Sequence, residues 1–188
     1  MRCEQCVMLP GGEQLLIRSL EAGDAAAAIW LMRKAAGETA FLMRESEECG
    51  MTIAQEQAYI ARMNDSPREA LLGAFVGGEL TGMANVSQIA PRARVRHRAT
   101  IGISIAKAYW GRGIGTAMMR ALISLAKEAG YEQIELDVVD NNTRAVALYT
   151  RLGFEAVGKI PNAMKYRDGR YANLCLMIRQ LGKECCDH

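Results

Sequence analysis

The sequence has no long hydrophobic run, few prolines and little excess of charge of either sign. Its longest stretch without a charged residue runs from Leu80 to Pro91 and is interrupted by polar residues. A membrane-spanning helix needs about 20 apolar residues, so we predict no membrane span. The first ten residues lack the apolar core of a secretory signal, and we therefore expect a cytoplasmic protein.

The composition is typical of one folded globular domain. The 188 residues are 50% hydrophobic and 23% charged, with four prolines. At this length about 70% of the surface of the unfolded chain can be buried, so disulfides are not needed for stability. We predict a single domain over residues 1–188, with a core from about 13 to 180 and short tails at 1–12 and 181–188.

The near balance of charge disfavours a nucleic-acid binder. Lysine and arginine number 23 against 21 aspartate and glutamate, which gives a formal net charge of +2. Nucleic-acid-binding domains usually have a much stronger basic excess, and we expect no such partner. Four arginines from Arg92 to Arg98 recur with period 2, which predicts one solvated face of a strand. Contact with RNA or a ribosome through this segment is the alternative.

Six cysteines in a chain without a secretory signal indicate reduced thiols. Cys3 and Cys6 form a C-x-x-C pair, and Cys185, Cys186 and His188 lie together near the other end. A structural zinc site usually has two well-formed ligand pairs, so we expect no metal. These terminal groups are the candidates if a metal does bind.

Hydrophobic periodicity and turn residues predict the element order β-α-α-β-β-β-α-β-α-β-β. Two strand pairs flank the turn signals Gly77-Gly78 and Asp168-Gly169, which indicates antiparallel hairpins. The strand–helix–strand unit from Arg96 to Val139 is a candidate parallel crossover. The pattern therefore predicts an α+β fold: a mixed, mostly antiparallel sheet of seven strands with about four helices.

A glycine-rich turn, Gly111 to Gly115, lies between a predicted strand and a predicted helix that begins at Ile114. Glycine permits a tight turn, and a helix start supplies unpaired N–H groups and about half a positive charge. The turn therefore suits a phosphate group. A dinucleotide fingerprint would need glycine where Thr116 stands, and a P-loop would need G-K-(S/T), so neither nucleotide motif fits.

Two segments taken together resemble the GNAT superfamily of N-acyltransferases. The segment Trp110-Gly-Arg-Gly-Ile-Gly-Thr116 is similar to the acetyl-CoA pyrophosphate motif (Q/R)-x-x-G-x-(G/A), with tryptophan in place of Gln or Arg. The segment Asn142-Thr-Arg-Ala-Val-Ala-Leu-Tyr149, followed by Leu152-Gly-Phe154, is similar to N-x-x-A-x-x-L-Y ending in G-F. The element order matches the GNAT fold over nearly the whole chain.

The resemblance implies a binding site for acetyl-CoA. The strand ending near Ile105 would splay from its neighbour at a bulge. The backbone of Ile103, Ser104 and Ile105 would then pair with the pantetheine, and one N–H would form an oxyanion hole. Asn142 would hydrogen-bond the pantetheine arm, besides serving as a helix N-cap. The pyrophosphate would be held by the backbone amides of Gly111, Arg112, Gly113, Ile114, Gly115 and Thr116.

The resemblance also implies the reaction, in which an amine attacks the acetyl thioester and the CoA thiolate leaves. Tyr149 is carried over as the general acid, and reference pKa values of about 10 and 8.5 make its proton transfer to sulfur uphill by about 2 kcal/mol. Some relatives have a glutamate six residues before the strand end, where this chain has Ala99. His97, two residues earlier, is the candidate base. An acidic segment, residues 45–48, could instead attract the amine, and water could take its proton.

The sequence therefore predicts an enzyme that transfers an acetyl group from acetyl-CoA to a primary amine. The acceptor is a small molecule or a protein, and a homodimer is expected as a common state of such domains. The alternative is a non-catalytic CoA-binding module that serves as a sensor or an interaction domain.

Overall fold

A computed structural model describes residues 1–182, which form one sheet with helices on both of its faces. The helices are α1 (Ala25–Glu38), α2 (Ile53–Asp65), α3 (Ile114–Glu128) and α4 (Thr143–Arg151). The strands are β1 (Glu4–Met8), β2 (Gln14–Ser19), β3 (Ala70–Val76), β4 (Glu79–Gln88), β5 (Arg98–Ile105), β6 (Gln133–Val139), β7 (Glu155–Lys165) and β8 (Tyr171–Gln180). The strand order across the sheet is β1-β2-β3-β4-β5-β6-β8-β7.

The predicted α+β class and mostly antiparallel sheet are confirmed. Only the β5–β6 pair is parallel, and the hairpins at Gly77-Gly78 and Asp168-Gly169 join β3 to β4 and β7 to β8. The capping box that starts α2 is also present, because Thr52 Oγ1 accepts a hydrogen bond of 3.2 Å from the Gln55 N–H. None of the four helices has the length and apolar character required to cross a bilayer.

The prediction of seven strands is one short, because β1 lies in the segment predicted to be a tail. It pairs antiparallel with β2, from Glu4 opposite Arg18 to Met8 opposite Gln14. Val7 is half-buried and packs against the main core. The strand has five residues, lies at the sheet edge and is half polar, so its sequence lacks the alternation from which strands are predicted.

The predicted strand face of arginines is wrong. Residues 89–97 connect β4 to β5 and contain a 3-10 turn at Ala93–Val95, and only Arg98 of the four arginines belongs to a strand. Because β4 and β5 are antiparallel, the chain has to reverse its direction here. The period of 2 therefore arises in a connection and defines no strand face.

A separate hydrophobic core covers each face of the sheet. On one face α3 contributes Met118 and Leu122, which pack in a cluster with Ile101 of β5. On the other face α1 and α2 contribute Leu31 and Ile60. The connection between α1 and α2 lies on this second face, with one 3-10 turn at its far end. We call the two sides the α3 face and the α1–α2 face.

The parallel pair β5–β6 is joined at only three positions, which end with Thr100 opposite Glu135. Beyond them β5 continues to Ile105 and β6 to Val139, but the two strands no longer pair with each other. They therefore splay apart. The β4–β5 register is continuous from Gln88 opposite Ala99 to Gly82 opposite Ile105. The splay is therefore where the sequence predicts it, but β5 shows no bulge in its pairing with β4.

An ion pair lies at the closed end of this gap. Both Nε and Nη2 of Arg98 donate to the Glu135 carboxylate, with Nη2 at 2.8 Å from Oε2. Gln133 Nε2 donates to the same carboxylate at 2.8 Å. Hydrogen bonding to Arg98 lowers the pKa of Glu135 below its ordinary value. The pair thus fastens β5 to β6 at the last point where they are joined.

We expect Glu135→Gln to lower the free energy of unfolding by about 1 kcal/mol at pH 7. Because the folded pKa of Glu135 is depressed, its stabilisation is present above the unfolded pKa of about 4.3 and is lost as the pH falls through the folded value. Urea unfolding of both proteins at pH 7 and pH 3 measures this. The control is Glu132→Gln, an exposed carboxylate nearby. An equal effect of both substitutions would contradict the assignment.

Candidate active site

A cavity of about 440 Å³ occupies the gap between β5 and β6. Residues 101–105 of β5 and 136–139 of β6 form two of its walls, and the glycine-rich turn, α4 and the α1–α2 connection also line it. Ten of the twelve predicted site residues line it: Ile103, Ser104, Ile105, Gly111, Gly113, Ile114, Gly115, Thr116, Asn142 and Tyr149. The structure therefore brings the two sequence motifs together around one gap in the sheet.

The edge of β5 that faces the gap lacks a partner strand. From residue 101 to residue 105 β5 pairs with β4 and no longer with β6. The Ile105 carbonyl also accepts a side-chain hydrogen bond, from Trp110 Nε1. Backbone N–H and C=O groups need hydrogen-bond partners, and an unpaired strand edge readily pairs with an extended ligand. This edge can therefore bind an extended chain that carries amide groups.

The glycine-rich turn provides unpaired backbone donors. Gly111 and Gly113 have φ of 77° and 93°, which is the left-handed region that favours glycine. The first bond of α3 runs from Ala117 N–H to the Gly113 carbonyl at 3.1 Å. The N–H groups of residues 114–116 thus precede the first N–H that donates within the helix, and with the helix dipole they form a site for an anion.

Two arginines near this turn are placed differently. Arg112 pairs with Glu13, its guanidinium carbon lies 4.9 Å from the centre of the Tyr109 ring, and it does not line the cavity. Arg144 of α4 lines the cavity, and its guanidinium carbon lies 5.1 Å from the centre of the Trp110 ring. For Arg112, therefore, only the backbone belongs to the predicted anion site.

Trp110 fastens the turn to the end of β5. Its indole Nε1 donates a hydrogen bond of 2.8 Å to the carbonyl of Ile105. The tryptophan at this motif position thus has a definite structural role, which the sequence did not indicate.

Tyr149 lies at the cavity wall and is almost fully buried. It packs against Phe154 with the ring centres 5.9 Å apart. Burial raises the pKa of Tyr149 to about 12, so its hydroxyl stays protonated at any physiological pH. The side chain can therefore donate a hydrogen bond into the gap from the α3 face.

Asn142 has the predicted capping role. Its Oδ1 accepts a hydrogen bond of 3.3 Å from the Ala145 N–H at the start of α4. The same side chain lines the cavity, and its amide nitrogen donates to no other residue in the part of the chain that is described. This nitrogen can therefore donate to a ligand.

His97 lies away from the cavity, at the far end of β5 from Ile105. It precedes the strand, is exposed, and its carbonyl accepts the N–H groups of Glu132 and Gln133. Ala99 is fully buried in the core of the α3 face. The structure thus does not bring His97 to the other site residues, because the strand face shared with Ala99 leads into the core.

Sequence reasoning missed Asp137, which is the only carboxylate among the described residues that line the cavity. It is exposed and lies two residues after Glu135 on β6, so it shares the α1–α2 face. Val139, two residues further, packs with Phe41 of the α1–α2 connection. Strand alternation places Asp137 on the same side of β6 as Glu135, but whether that side is core or cavity depends on how the helices pack.

A second cavity of about 710 Å³ lies next to the first on the α1–α2 face. The two share Thr39, Leu42 and Met43 of the α1–α2 connection. Its other wall is the β7–β8 hairpin, where Arg167 pairs with both Glu45 and Glu47. Together with the hydrogen bond of 3.1 Å from Tyr166 Oη to the Ala40 carbonyl, these contacts join the connection to the hairpin.

Within residues 1–182 no group of three or more His, Cys, Asp or Glu side chains could hold a metal ion. Cys3 and Cys6 are free thiols beside and within β1. Cys185, Cys186 and His188 lie outside the described residues.

Comparison with known proteins identifies the family. The sequence model of the Acetyltransferase (GNAT) family matches residues 39–154. The chain belongs to this family. It is accordingly an acetyl-CoA-dependent N-acetyltransferase, and the unpaired β5 edge and the anion site fit the pantetheine and diphosphate of its co-substrate.

Curated relatives include L-amino acid N-acetyltransferase AaaT of Escherichia coli, 31% identical over 121 residues, which are 63% of this chain and 72% of the relative. N-alpha-acetyltransferase RimI of Mycobacterium tuberculosis is 36% identical over 94 residues, which are 50% of this chain and 56% of the relative. The chain thus matches little more than half of the length of RimI.

Solved structures confirm the fold. A GNAT-family acetyltransferase from Streptococcus pneumoniae has a TM-score of 0.85 and 28% identity, covering 88% of this chain and 99% of that one. The acetyltransferase yncA of Salmonella typhimurium, solved with acetyl-CoA, has a TM-score of 0.80 and 20% identity, covering 93% of this chain and 98% of that one.

We expect Gly111→Ala to lower the free energy of unfolding by about 1 kcal/mol, the cost of a left-handed alanine. Gly113→Ala should cost more, because its Cβ would also lie 3.1 Å from Cδ of Pro10. Pro10→Ala should relieve that additional cost. Urea unfolding of the single and double variants measures both effects, and equal costs at the two glycines would contradict the close approach of Pro10 to the turn.

Proposed function

We propose that this acetyltransferase acts on the primary amine of a small molecule, which approaches the thioester from the α1–α2 face. The observation that carries the proposal is that one gap lies between a buried tyrosine on the α3 face and a carboxylate on the α1–α2 face. Tyr149 and Asp137 both line the cavity in this gap. With the thioester in this gap, Tyr149 would serve as proton donor to the leaving sulfur and Asp137 as proton acceptor for the amine.

In this proposal acetyl-CoA lies along the open edge of β5. The backbone of residues 103–105 pairs with the pantetheine, the Asn142 amide donates to the same arm, and the amides of residues 111–116 bind the diphosphate. One N–H of β5 then faces the thioester oxygen. A single fixed donor of this kind stabilises a developing oxyanion by about 3 kcal/mol.

Tyr149 is the proposed donor to the departing sulfur. With a pKa of about 12 against about 8.5 for a thiol, complete transfer of its proton would be uphill by about 5 kcal/mol. The hydroxyl therefore stabilises the thiolate chiefly by a hydrogen bond, and it keeps the proton for this bond at any pH well below 12. This burial makes the cost of transfer larger than the sequence alone suggested.

Asp137 is the proposed acceptor of the amine proton, in place of His97. An alkylamine with a pKa near 10 is almost entirely ammonium at pH 7, so it must lose a proton before it attacks. A carboxylate attracts the ammonium group and can take the proton directly or through a water molecule. The exposure of Asp137 on the α1–α2 face leaves room for both.

The second cavity supports a small acceptor. Its 710 Å³ falls in the range of small-molecule pockets. The contacts of Arg167 and Tyr166 bridge its two walls, and such a bridge obstructs a protein chain more than a small molecule. The relative AaaT is named for L-amino acids, and the L-methionine sulfoximine/L-methionine sulfone acetyltransferase of Pseudomonas aeruginosa is 24% identical over 91% of its length. Amino acids and their analogues are thus the first acceptors to test.

Thiol release from acetyl-CoA, measured with a panel of L-amino acids, methionine sulfoximine, polyamines and a short peptide, tests the proposal. We expect a small amine to give the highest kcat/KM and Tyr149→Phe to lower its kcat about 100-fold. Tyr171→Phe, which removes an exposed hydroxyl, is the control. CoA binding without turnover of any amine would favour a non-catalytic module, and the fastest turnover of the peptide would overturn the small acceptor.

We expect Asp137→Asn to lower kcat/KM about 100-fold at pH 7, because the amine then loses its proton acceptor. The deficit should shrink towards pH 10, where much of the amine is already deprotonated. Rates from pH 6 to pH 10 measure this, with the exposed Asp65→Asn as control. A deficit that is the same at every pH would show that Asp137 only positions the substrate.

The expected homodimer stays a prediction, which the mass of the purified chain in light scattering checks.

A further inference from the structure

Arg144 and Trp110 form a stacked pair at the phosphate end of the cavity, and the proposed function gives this pair no role. Arg144 is the second residue of α4, is exposed and lines the same cavity as the glycine-rich turn. Its guanidinium carbon lies 5.1 Å from the centre of the Trp110 ring. The two side chains come from the two sequence motifs, so their contact exists only in the folded chain.

The diphosphate of CoA carries about two negative charges, and backbone amides supply only partial positive charge. The arginine of the turn itself does not meet this need, because Arg112 is neutralised by Glu13 and faces Tyr109. Arg144 forms no ion pair with a carboxylate of residues 1–182. It is therefore an uncompensated cation beside a site built for an anion.

The tryptophan holds this cation in place. Its indole is fixed by the hydrogen bond of 2.8 Å from Nε1 to the Ile105 carbonyl. A guanidinium above an aromatic face is attracted to the ring and keeps the N–H groups at its edge free. Because the ring already restricts the arginine, less side-chain entropy is lost when a phosphate binds. A lysine would provide the charge without the fixed fork of donors.

We infer that Arg144, positioned on the Trp110 ring, is the side-chain cation that binds the diphosphate of CoA. The inference rests on the proposed placement of acetyl-CoA. It assigns to α4 a full positive charge for the diphosphate, whereas the backbone amides of the turn supply only partial charges. Trp110 is then a positioning residue that acts through Arg144. The aromatic residue at the start of the turn and the arginine of the second motif work as one unit.

Calorimetric titration of the full chain with CoA and with dephospho-CoA tests the inference. Charge-assisted hydrogen bonds of this kind correspond to about a tenfold to hundredfold change in Kd, and we expect Arg144→Ala to weaken both ligands by that factor. Arg144→Lys should recover part of the loss. The control is Arg120→Ala, which removes an exposed charge of α3 outside the cavity.

Three results would overturn the inference. Binding of CoA by Arg144→Ala within twofold of the Arg120→Ala control would remove the role of the cation. A loss seen with CoA but absent with dephospho-CoA would assign Arg144 to the 3′-phosphate instead. Trp110→Ala also removes the hydrogen bond that fastens the turn, so the inference expects it to weaken CoA binding less in the Arg144→Ala background than in the wild type. A weakening of equal size in both backgrounds would show that ring and guanidinium act independently.

Turnover of S-acetylpantetheine, which has no phosphate, separates this inference from the proposed function. Arg144→Ala should leave its kcat/KM within twofold of the wild-type value, because the thioester end of the site is unchanged. A large loss would mean that the substitution disturbs α4 and would overturn the specific role. If the wild-type chain neither binds CoA nor turns over either thioester, the proposed function itself fails.

Discussion

The early end of the pairing between β5 and β6 is the constraint on which the rest of the site depends. Three paired positions fix the direction of the strands, and the Arg98–Glu135 ion pair fastens them there. The following residues of β5 then have bonded neighbours on one side only. Backbone N–H and C=O groups without a partner strand need other hydrogen-bond partners. The gap can therefore bind a ligand through the main chain alone.

The helices keep the gap open. Ile103 and Ile105 pack against the core of the α3 face. This packing holds in place the end of β5 that does not pair with β6. A Cβ on Gly115 would lie 3.2 Å from Leu148, so the first turn of α3 and the body of α4 approach closely only because this residue is glycine. The two motifs are thus coupled by packing as well as by a shared ligand. A larger side chain at residue 115 would therefore push α3 and α4 apart.

The parts of the site that could be predicted are those in which the chain binds through local backbone geometry. Glycines before a helix indicate a tight turn, and an asparagine at a helix start indicates an N-cap, in any fold. Both sets of residues line the cavity. Local geometry could not decide whether His97 or Asp137 reaches the cavity, because strand alternation alone does not tell which face of the sheet is core. That choice depends on where α1, α2 and α3 pack. The edge strand β1 was missed because its pairing with β2, and not its own sequence pattern, stabilises it.

Because the site is divided between two faces of the sheet, the residues on the acceptor side can change while those on the co-substrate side stay the same. On the α3 face lie the buried tyrosine and the turn, the groups proposed to act on the co-substrate, and burial keeps the Tyr149 hydroxyl protonated whatever the acceptor is. On the α1–α2 face the second cavity is built from a connection and a hairpin joined by surface contacts of Arg167. Such contacts contribute little to stability, so this wall can vary without loss of the fold. In the proposed mechanism the transfer of the acetyl group therefore depends on β5, β6 and α4, and the choice of amine depends on the segments that cover the α1–α2 face.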